Sequence, residues 1–455
     1  VHWGELVPAA VGGSAPRLTR RALLLNGKRD LEGMSDLRFG ISQERAFDII
    51  EGANLYEDKM VFLRELVQNA EDASKVQLWR DLNAKQYEAW MPKKLALDDL
   101  QPYDLPEQVF RNYPITIDLR DLENGDIEIC VTDRGTGMNV DTFKQMCQVG
   151  ESFRADRERR REIETMPAWL RPTSGFGIGL QSIFLAAPRF DIYTRAEGRA
   201  LHAAVESRKR EGYVQVEEAA EPKLNGTQVR VAVKDTKKYN RRGHMRRYYA
   251  EKYDWLGEKD ERVLCSIVST IEQYCAGALF PIVINHGGRW LLEIEPISFA
   301  EFQDTGEGEE RPGKVKMEDD WLYILSEDCQ SIKLWKRTES IHVSLGWAIN
   351  HGKTRIRFKG KSMKNERMAF PGIRGWLNAE LDFYGLNTKQ YLALNREEFR
   401  AECRQKIRKL VDACISFYTA KIVHRLCTKT KEEQHTLAAK ERLEEAGESL
   451  RMKRS

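Results

Sequence analysis

The sequence lacks long apolar runs, paired cysteines and a large net charge, and each absence narrows the class of protein. No stretch approaches the roughly 18 apolar residues that a transmembrane helix needs. The 8 cysteines are scattered without a C-x-x-C pair, which argues against a zinc ribbon and favours free thiols in a reducing compartment. The formal net charge is only +3, so no global charge demands a nucleic-acid or membrane partner.

The N-terminal region also lacks the layout of a secretory signal peptide. Arginines and prolines interrupt every apolar stretch in residues 1–25. We therefore predict a cytoplasmic protein with no membrane segment. The chain begins with Val1 rather than Met, which leaves open whether an upstream domain precedes it.

At 455 residues the chain exceeds one typical core, so two or three domains are expected. The pattern predicts, in order, an arm or linker at 1–40, an α/β region at 41–235 with an insertion near 74–112, a basic connector at 236–260, a second α/β region at 261–400, and a charged helical segment at 401–455. The predicted fold class is α+β, a two-layer α/β sandwich followed by a second α/β domain and a helical C-terminus.

Alternation of apolar and polar residues predicts the strands of the first region. Two such segments, 115–121 and 126–133, flank Asn124-Gly125, a pair typical of a tight hairpin turn. Four more alternating segments follow at 189–195, 200–206, 213–218 and 226–233.

The stretch "FLRELVQNAEDAS" (62–74) places three polar groups on one side of an otherwise apolar helix. At about 100° per residue, Glu65, Asn69 and Asp72 share a narrow sector. Buried carboxylates need a cationic or hydrogen-bonding partner, and a magnesium ion carrying phosphates fits, because it takes few protein ligands and prefers oxygen. Taken alone, the same pattern also describes the solvated face of an amphipathic helix.

Three further motifs supply groups that suit a nucleotide. "VTDRGTGM" (131–138) follows a strand, and its Asp133 can accept a hydrogen bond from an exocyclic amine. "SGFGIGLQSIF" (174–184) leads glycines into a predicted helix, an arrangement that binds anions. "NGTQVRV" (225–231) places the Thr227 hydroxyl at the start of a strand.

These four motifs, in this order, resemble the four-box nucleotide site of the GHKL ATPases, the superfamily of DNA gyrase, the heat-shock protein 90 chaperones, histidine kinases and MutL. The resemblance covers about residues 40–235 and implies the Bergerat-type ATP-binding fold. The first and third motifs are most similar to the heat-shock protein 90 family. Residues 278–285 and 375–399 resemble parts of the middle domain of that family.

The resemblance implies a role for each matching residue, with ATP and Mg²⁺ as cofactors. Glu65 would be the general base, Asn69 the magnesium ligand, and Asp133 the reader of adenine, assisted by Thr227. The other residues that it implies in ATP binding are Asp72, Gly135, Gly137, Met138, Gly175, Gly177 and Gly179.

Two more regions gain a role from the resemblance. Arg396, from the second region, would reach the γ-phosphate and stabilise charge in the transition state. Residues 150–174 would form a lid over the nucleotide, and this lid would carry the basic run 154–161, whose alternative role is a solvated helix face.

Several functions remain open at this point. The first is a nucleotide-driven conformational switch acting on a protein client or partner subunit, with a homodimer through the N-terminal arm or a region absent from this sequence. The second is a MutL- or gyrase-like ATPase, or one in a defence-type assembly, with the basic run 237–247 as a nucleic-acid contact. The third is a nucleotide sensor that rarely hydrolyses.

Overall fold

The computed structural model describes most of the chain between residues 60 and 428. The described residues are 24–25, 28–29, 60–91, 95–147, 157–173, 179–208, 211–234, 262–275, 277–302, 315–326, 331–347, 354–363, 377–392 and 398–428. The α-helices within these ranges are α1 (Val61–Asn83), α2 (Glu107–Arg111), α3 (Val140–Cys147), α4 (Arg157–Thr165), α5 (Arg262–Cys275), α6 (Thr388–Tyr391) and α7 (Arg404–Thr428).

The larger sheet has eight strands. They are β3 (Ile115–Asp121), β4 (Ile127–Thr132), β5 (Arg189–Ala196), β6 (Arg199–Arg208), β7 (Glu211–Glu218), β8 (Gly226–Val233), β9 (Ile282–His286) and β10 (Arg289–Ile294), in the order β10-β9-β3-β4-β8-β5-β6-β7. Neighbours are antiparallel except β3 and β9, which run parallel. The hairpin predicted across Asn124-Gly125 is confirmed, because β3 and β4 pair from Thr116–Thr132 to Asp121–Ile127.

Helices α1 and α5 and the 3-10 helix Leu180–Leu185 pack with this sheet around one apolar core. The core draws Phe62 and Leu66 from α1, Ile271 from α5 and alternate residues of the strands. The sequence predicted an ordinary helix after Gly179. A 3-10 helix forms instead, because the Ser182 N–H donates to the Gly179 carbonyl three residues back, at 3.2 Å.

The second sheet has seven strands and is covered by α7. The strands are β11 (Val315–Glu318), β12 (Trp321–Leu325), β13 (Ser331–Lys336), β14 (Ile341–Trp347), β15 (Thr354–Phe358), β16 (Lys361–Ser362) and β17 (Leu377–Phe383), in the order β11-β12-β13-β14-β17-β15-β16. Ile407, Val411 and Tyr418 of α7 pack with this sheet in a second core. A separate short hairpin pairs β1 (Leu24–Leu25) with β2 (Lys28–Arg29).

A third apolar cluster joins the predicted insertion to the second sheet. It contains Trp79 and Phe110 from the insertion, Trp169 from the predicted lid, and Trp335 from the second sheet. The Trp169 indole N–H donates to the Leu100 carbonyl at 2.7 Å. The described part of the predicted lid therefore packs against the insertion.

The fold is mixed α/β, with two sheets and a C-terminal helix. Strands β9 and β10 extend the first sheet. The sequence pattern assigned these residues to the second predicted region, 261–400. The predicted connector 236–260, most of the arm and residues 429–455 lie outside the described residues. The domain boundaries and the two-layer ATP-binding sandwich stay predictions. No helix in the described ranges combines the length and apolarity needed to cross a membrane.

Candidate functional site

Helix α1 carries the predicted acidic front, and most of that front is buried. Glu65 is 1% exposed, and its carboxylate accepts a hydrogen bond from Arg64 Nη2 at 3.0 Å. The Arg64 guanidinium lies over the ring of Tyr274 on α5, 5.5 Å from the ring centroid. An adjacent cation therefore offsets the cost of burying this carboxylate.

Gly179, at the end of the third motif, lies against two of these residues. A Cβ placed on Gly179 would lie 2.9 Å from Glu65 Oε2 and 3.6 Å from Asn69 Nδ2. The Gly179 backbone therefore lies in contact with both side chains, and a larger residue would have to displace the end of Glu65. The Ser182 hydroxyl donates to the Gly179 carbonyl at 2.6 Å and fixes the turn at this point.

Asp133 lies at the end of β4 and is 8% exposed. Its Oδ1 accepts the backbone N–H groups of Gly135 at 2.7 Å and Thr227 at 3.2 Å. Burial raises the pKa of Asp133 to about 7, because the two N–H donors only partly offset the loss of water. Neither of these bonds uses Oδ2, so that oxygen can accept a hydrogen bond from a ligand.

The second motif packs closely on α1 and on β5. A Cβ on Gly135 would lie 2.5 Å from Ala73 Cβ, one turn beyond Asn69. Gly137 has φ +67°, and a Cβ there would lie 2.0 Å from the Arg195 carbonyl oxygen. The loop after β4 therefore depends on glycine both for its contact with α1 and for its turn.

Sequence reasoning missed Thr194, which links two of the motifs. Thr194 is fully buried on β5, and its hydroxyl accepts the Met138 N–H at 2.8 Å. The same hydroxyl donates to the Gly226 carbonyl at 3.0 Å and lies 3.2 Å from the Thr227 hydroxyl. A threonine in line with the buried residues Phe190 and Ile192 of an alternating strand was the available signal.

Asp72 contacts the predicted lid. Its Oδ1 accepts both the N–H of Thr173, at 2.8 Å, and the Thr173 hydroxyl, at 2.7 Å. Thr173 is the last described residue before residues 174–178, which lie outside the described residues and are here named the glycine-rich segment. Asp72 therefore anchors one end of the glycine-rich segment, and Gly179 anchors the other end beside Glu65.

A buried ion cluster, also missed from the sequence, lies behind the acidic front. Glu71 is 1% exposed and pairs with Lys75 on α1, at 3.1 Å, and with Lys361 of the second sheet. Burial alone would raise the pKa of Glu71, but Lys361 and Lys75 outweigh it and lower the pKa to about 2. The pKa of Lys361 is raised by Glu71 against its own burial.

The remaining predicted residues divide as follows. Glu65, Asn69 and Gly179 lie together, and Asp133 lies with Gly135 and Thr227. Gly175, Gly177, Arg396 and the basic run 237–247 lie outside the described residues. Of the predicted lid, α4 is tied to α1 by the ion pair between Arg80 and Glu162, at 2.6 Å.

The residues present fit a magnesium-bound nucleotide. The Asn69 amide and the Glu65 carboxylate offer oxygen atoms, which are the ligands that magnesium prefers. Because residue 179 is glycine, no side chain at that position covers them. Within the described ranges no group of three or more His, Cys, Asp or Glu side chains is arranged to hold a metal ion. A magnesium ion here would take most of its ligands from phosphates and water.

Comparison with known proteins gives one partial similarity. No family model matches the chain. A stretch of 164 residues, 35% of this chain, is 28% identical to the Chaperone protein HtpG of Gluconobacter oxydans (strain 621H). The aligned stretch spans 22% of that chaperone. The chain is therefore similar to an HtpG chaperone over about a third of its length.

Proposed function

We propose that this chain binds ATP with Mg²⁺ and hydrolyses it, as a heat-shock protein 90-like member of the GHKL ATPases. In this proposal the nucleotide drives a conformational switch that acts on a protein client or partner subunit. The partial similarity to an HtpG chaperone supports this choice among ATPases. Two described contacts also support it: Gly179 of the third motif lies against α1, and Thr227 of the fourth lies against Asp133 at the end of β4.

The observation that carries the proposal is the approach of Gly179 to Glu65 and Asn69. A residue more than a hundred positions away in the chain meets the acidic front of α1, and any side chain there would have to displace the end of Glu65. A glycine turn facing a carboxylate and an amide suits a phosphate chain held through a metal ion.

At the adenine end, Asp133 would hold the base. Its Oδ1 is fixed by two backbone N–H groups, so Oδ2 is oriented to accept from the exocyclic amine. Thr194 holds Met138 and Thr227 in place, and Thr227 in turn contacts Asp133. Gly137 and Met138 would line the base pocket.

At the phosphate end, Glu65 would take a proton from the attacking water. Arg64 fixes the orientation of the Glu65 carboxylate through their hydrogen bond. Magnesium, when bound through Asn69, supplies positive charge that neutralises the phosphates. Residues of the glycine-rich segment would donate backbone N–H groups to the phosphates, and Arg396 would add positive charge during transfer.

Two substitutions separate binding from hydrolysis. Glu65→Gln keeps an oxygen for Arg64 but cannot take a proton, so ATP affinity should persist while phosphate release falls by about 100-fold or more. Asp133→Asn removes the carboxylate acceptor, so ATP affinity should fall by about tenfold or more. Titration calorimetry and a phosphate-release assay measure the two quantities.

Glu88→Gln is the matched control, since Glu88 is an exposed glutamate whose side chain is 69% accessible. It should leave both quantities unchanged. Phosphate release by Glu65→Gln at the parental rate would show that Glu65 is not the general base. Parental ATP affinity in Asp133→Asn would show that Asp133 does not bind the adenine amine.

A nucleotide sensor that rarely hydrolyses is the second candidate, and one observation favours it. The Glu65 carboxylate is buried and paired with Arg64, and this cation stabilises the ionised carboxylate that a base gives up when it takes a proton. The sensor predicts ATP binding with phosphate release no faster than in Glu65→Gln. The ATPase predicts release well above that variant.

A further inference from the structure

One tight turn of the second sheet reaches the first helix. Residues 359–361, here named the lysine turn, join β15 to β16, with Lys359 at φ +50° and Gly360 at φ +79°. Lys359 is 3% exposed and Lys361 is 7% exposed. Two buried ammonium groups on one turn are costly unless each meets an oxygen partner.

The base of the lysine turn is held by the second sheet and by the loop after α5. The Gly360 N–H donates to the Asp382 carboxylate, at 3.0 Å from Oδ1 and 3.1 Å from Oδ2. The Gly360 carbonyl accepts the Gly277 N–H at 3.2 Å, and the Tyr384 hydroxyl donates to the Gly277 carbonyl at 3.2 Å. The turn is therefore a fixed support for its two lysines.

The two lysines contact α1 and the stretch of chain that precedes the glycine-rich segment. Lys361 Nζ contacts the Glu71 carboxylate on α1, the helix that carries Glu65. Lys359 Nζ donates to the carbonyl of Arg171 at 2.8 Å, two residues before Thr173. One turn thus grips both α1 and the start of that segment.

The contact continues inside α1. Glu71 also pairs with Lys75, which lies 3.8 Å from Asp72 Oδ1. That oxygen accepts both hydrogen bonds from Thr173. The lysine turn therefore reaches Thr173 by two routes, directly through the backbone at Arg171 and indirectly through the side chains of α1.

We propose that the lysine turn is a positioning element of the nucleotide site, and that Lys359 and Lys361 hold α1 and residues 171–173 together, so that Glu65 and Asn69 of α1 keep their places at the phosphate end. This rests on the proposed function. Because the turn contacts the helix that carries Glu65 and Asn69, it serves recognition of phosphate and not of adenine.

The first test uses Lys361→Met in the full chain, first without nucleotide. Lys361→Met breaks the contact that holds the lysine turn on α1, and with it the support for residues 171–173. Hydrogen–deuterium exchange at residues 171–173, where the Thr173 amide is the one bonded to Asp72 and Pro172 has none, should then be faster by about tenfold or more. ATP affinity should fall about tenfold, whereas adenosine affinity should change by less than about twofold.

Lys333→Met is the matched control, since Lys333 lies on the same sheet and pairs with Glu301 at 2.7 Å on the surface. It should leave exchange at residues 171–173 and the ratio of ATP to adenosine affinity unchanged. Unchanged exchange at residues 171–173 in Lys361→Met would overturn the proposal. An equal loss of ATP and adenosine affinity would also overturn it, because a general loss of stability has that effect.

A double variant separates positioning from stability. Glu71→Gln with Lys361→Met removes both charges, so the melting temperature should largely recover. Exchange at residues 171–173 should stay fast and ATP binding should stay weak. Recovery of all three quantities together would show that the pair has only a structural role.

Lys359→Met keeps the test available if Lys361→Met does not fold, since it removes the donor to the Arg171 carbonyl and leaves Lys361 in place. It should give the same faster exchange at residues 171–173, and unchanged exchange would overturn the proposal. If the parent chain binds no ATP, the proposed function fails on that result alone. The exchange measurements then still decide whether the lysine turn holds residues 171–173.

Discussion

At the scale of single residues, burial gives the candidate site its chemical character. Glu65 and Asp133 are both nearly inaccessible to water, but their surroundings differ. Glu65 has the guanidinium of Arg64 beside it, whereas Asp133 has only backbone N–H donors. Burial with no neighbouring cation moves the pKa of Asp133 up into the neutral range.

This difference predicts a pH dependence for adenine binding. Asp133 must be ionised to accept from the exocyclic amine, and burial raises its pKa to about 7. Protonation competes with binding below that pKa, so adenosine affinity should fall about tenfold between about pH 8 and pH 6. Adenosine is the right probe because it carries no phosphate that titrates in this range.

Titration calorimetry across this pH range measures the effect. The residual affinity of Asp133→Asn is the control, and it should vary little with pH, since asparagine does not titrate here. A flat adenosine affinity in the parent protein between these two pH values would contradict the role given to Asp133.

At the scale of elements, the edge of the first sheet carries a titratable group shared by three strands. His202 on β6 lies 2.9 Å from Asp191 Oδ1 on β5 and 3.0 Å from Glu217 Oε1 on β7, and its ring stacks on Tyr193 at 4.4 Å. The hydrogen bond with Asp191 raises the pKa of His202, against its partial burial. The charged imidazolium thus ties three strands together.

A raised pKa in the folded state fixes the sign of the pH effect. The stability that His202 contributes is fully present below its unfolded pKa and is lost as pH rises through the folded pKa. His202→Gln should therefore lower the free energy of unfolding by about 1 kcal/mol near pH 6 and by less near pH 9. Urea denaturation followed by circular dichroism measures both values.

His286→Gln is the control for this prediction. His286 also pairs with a carboxylate, Asp121, at 2.9 Å, but that carboxylate side chain is 70% exposed. The substitution should change the free energy of unfolding much less. An equal loss in His202→Gln at both pH values would contradict the ionic account of these strands.

Elements with a local pattern were predictable from the sequence. Segment 115–121 alternates and is β3, and the Asn124-Gly125 pair marks its turn to β4. The polar face of α1 was readable from helical spacing. The 3-10 form of the helix after Gly179 was not predictable, because it depends on the hydrogen bonds of Ser182 to the Gly179 carbonyl.

At the scale of the whole molecule, long-range contacts set what the sequence could not predict. Lys361 contacts Glu71 across 290 positions in the chain, and the sequence around each residue does not indicate that they pair. Strand β9 is apolar on its buried positions Ile282 and Ile284, which fits either sheet equally well. Its parallel pairing with β3 is decided only when the chain folds back.

At this scale too, the second sheet contacts α1, the helix that carries the candidate site. Trp169 and Trp335 share an apolar cluster, and the lysine turn of the second sheet reaches α1 of the first. A change in how the sheets meet would therefore move the residues that flank the glycine-rich segment. This is the physical basis for proposing a nucleotide-driven switch.

The most direct test of the central claim is a crystal structure of the chain with Mg²⁺ and a non-hydrolysable ATP analogue. The account predicts the adenine amine within hydrogen-bonding distance of Asp133 Oδ2, the metal ion bound by Asn69, and the phosphates next to Gly179. A nucleotide bound elsewhere would contradict it.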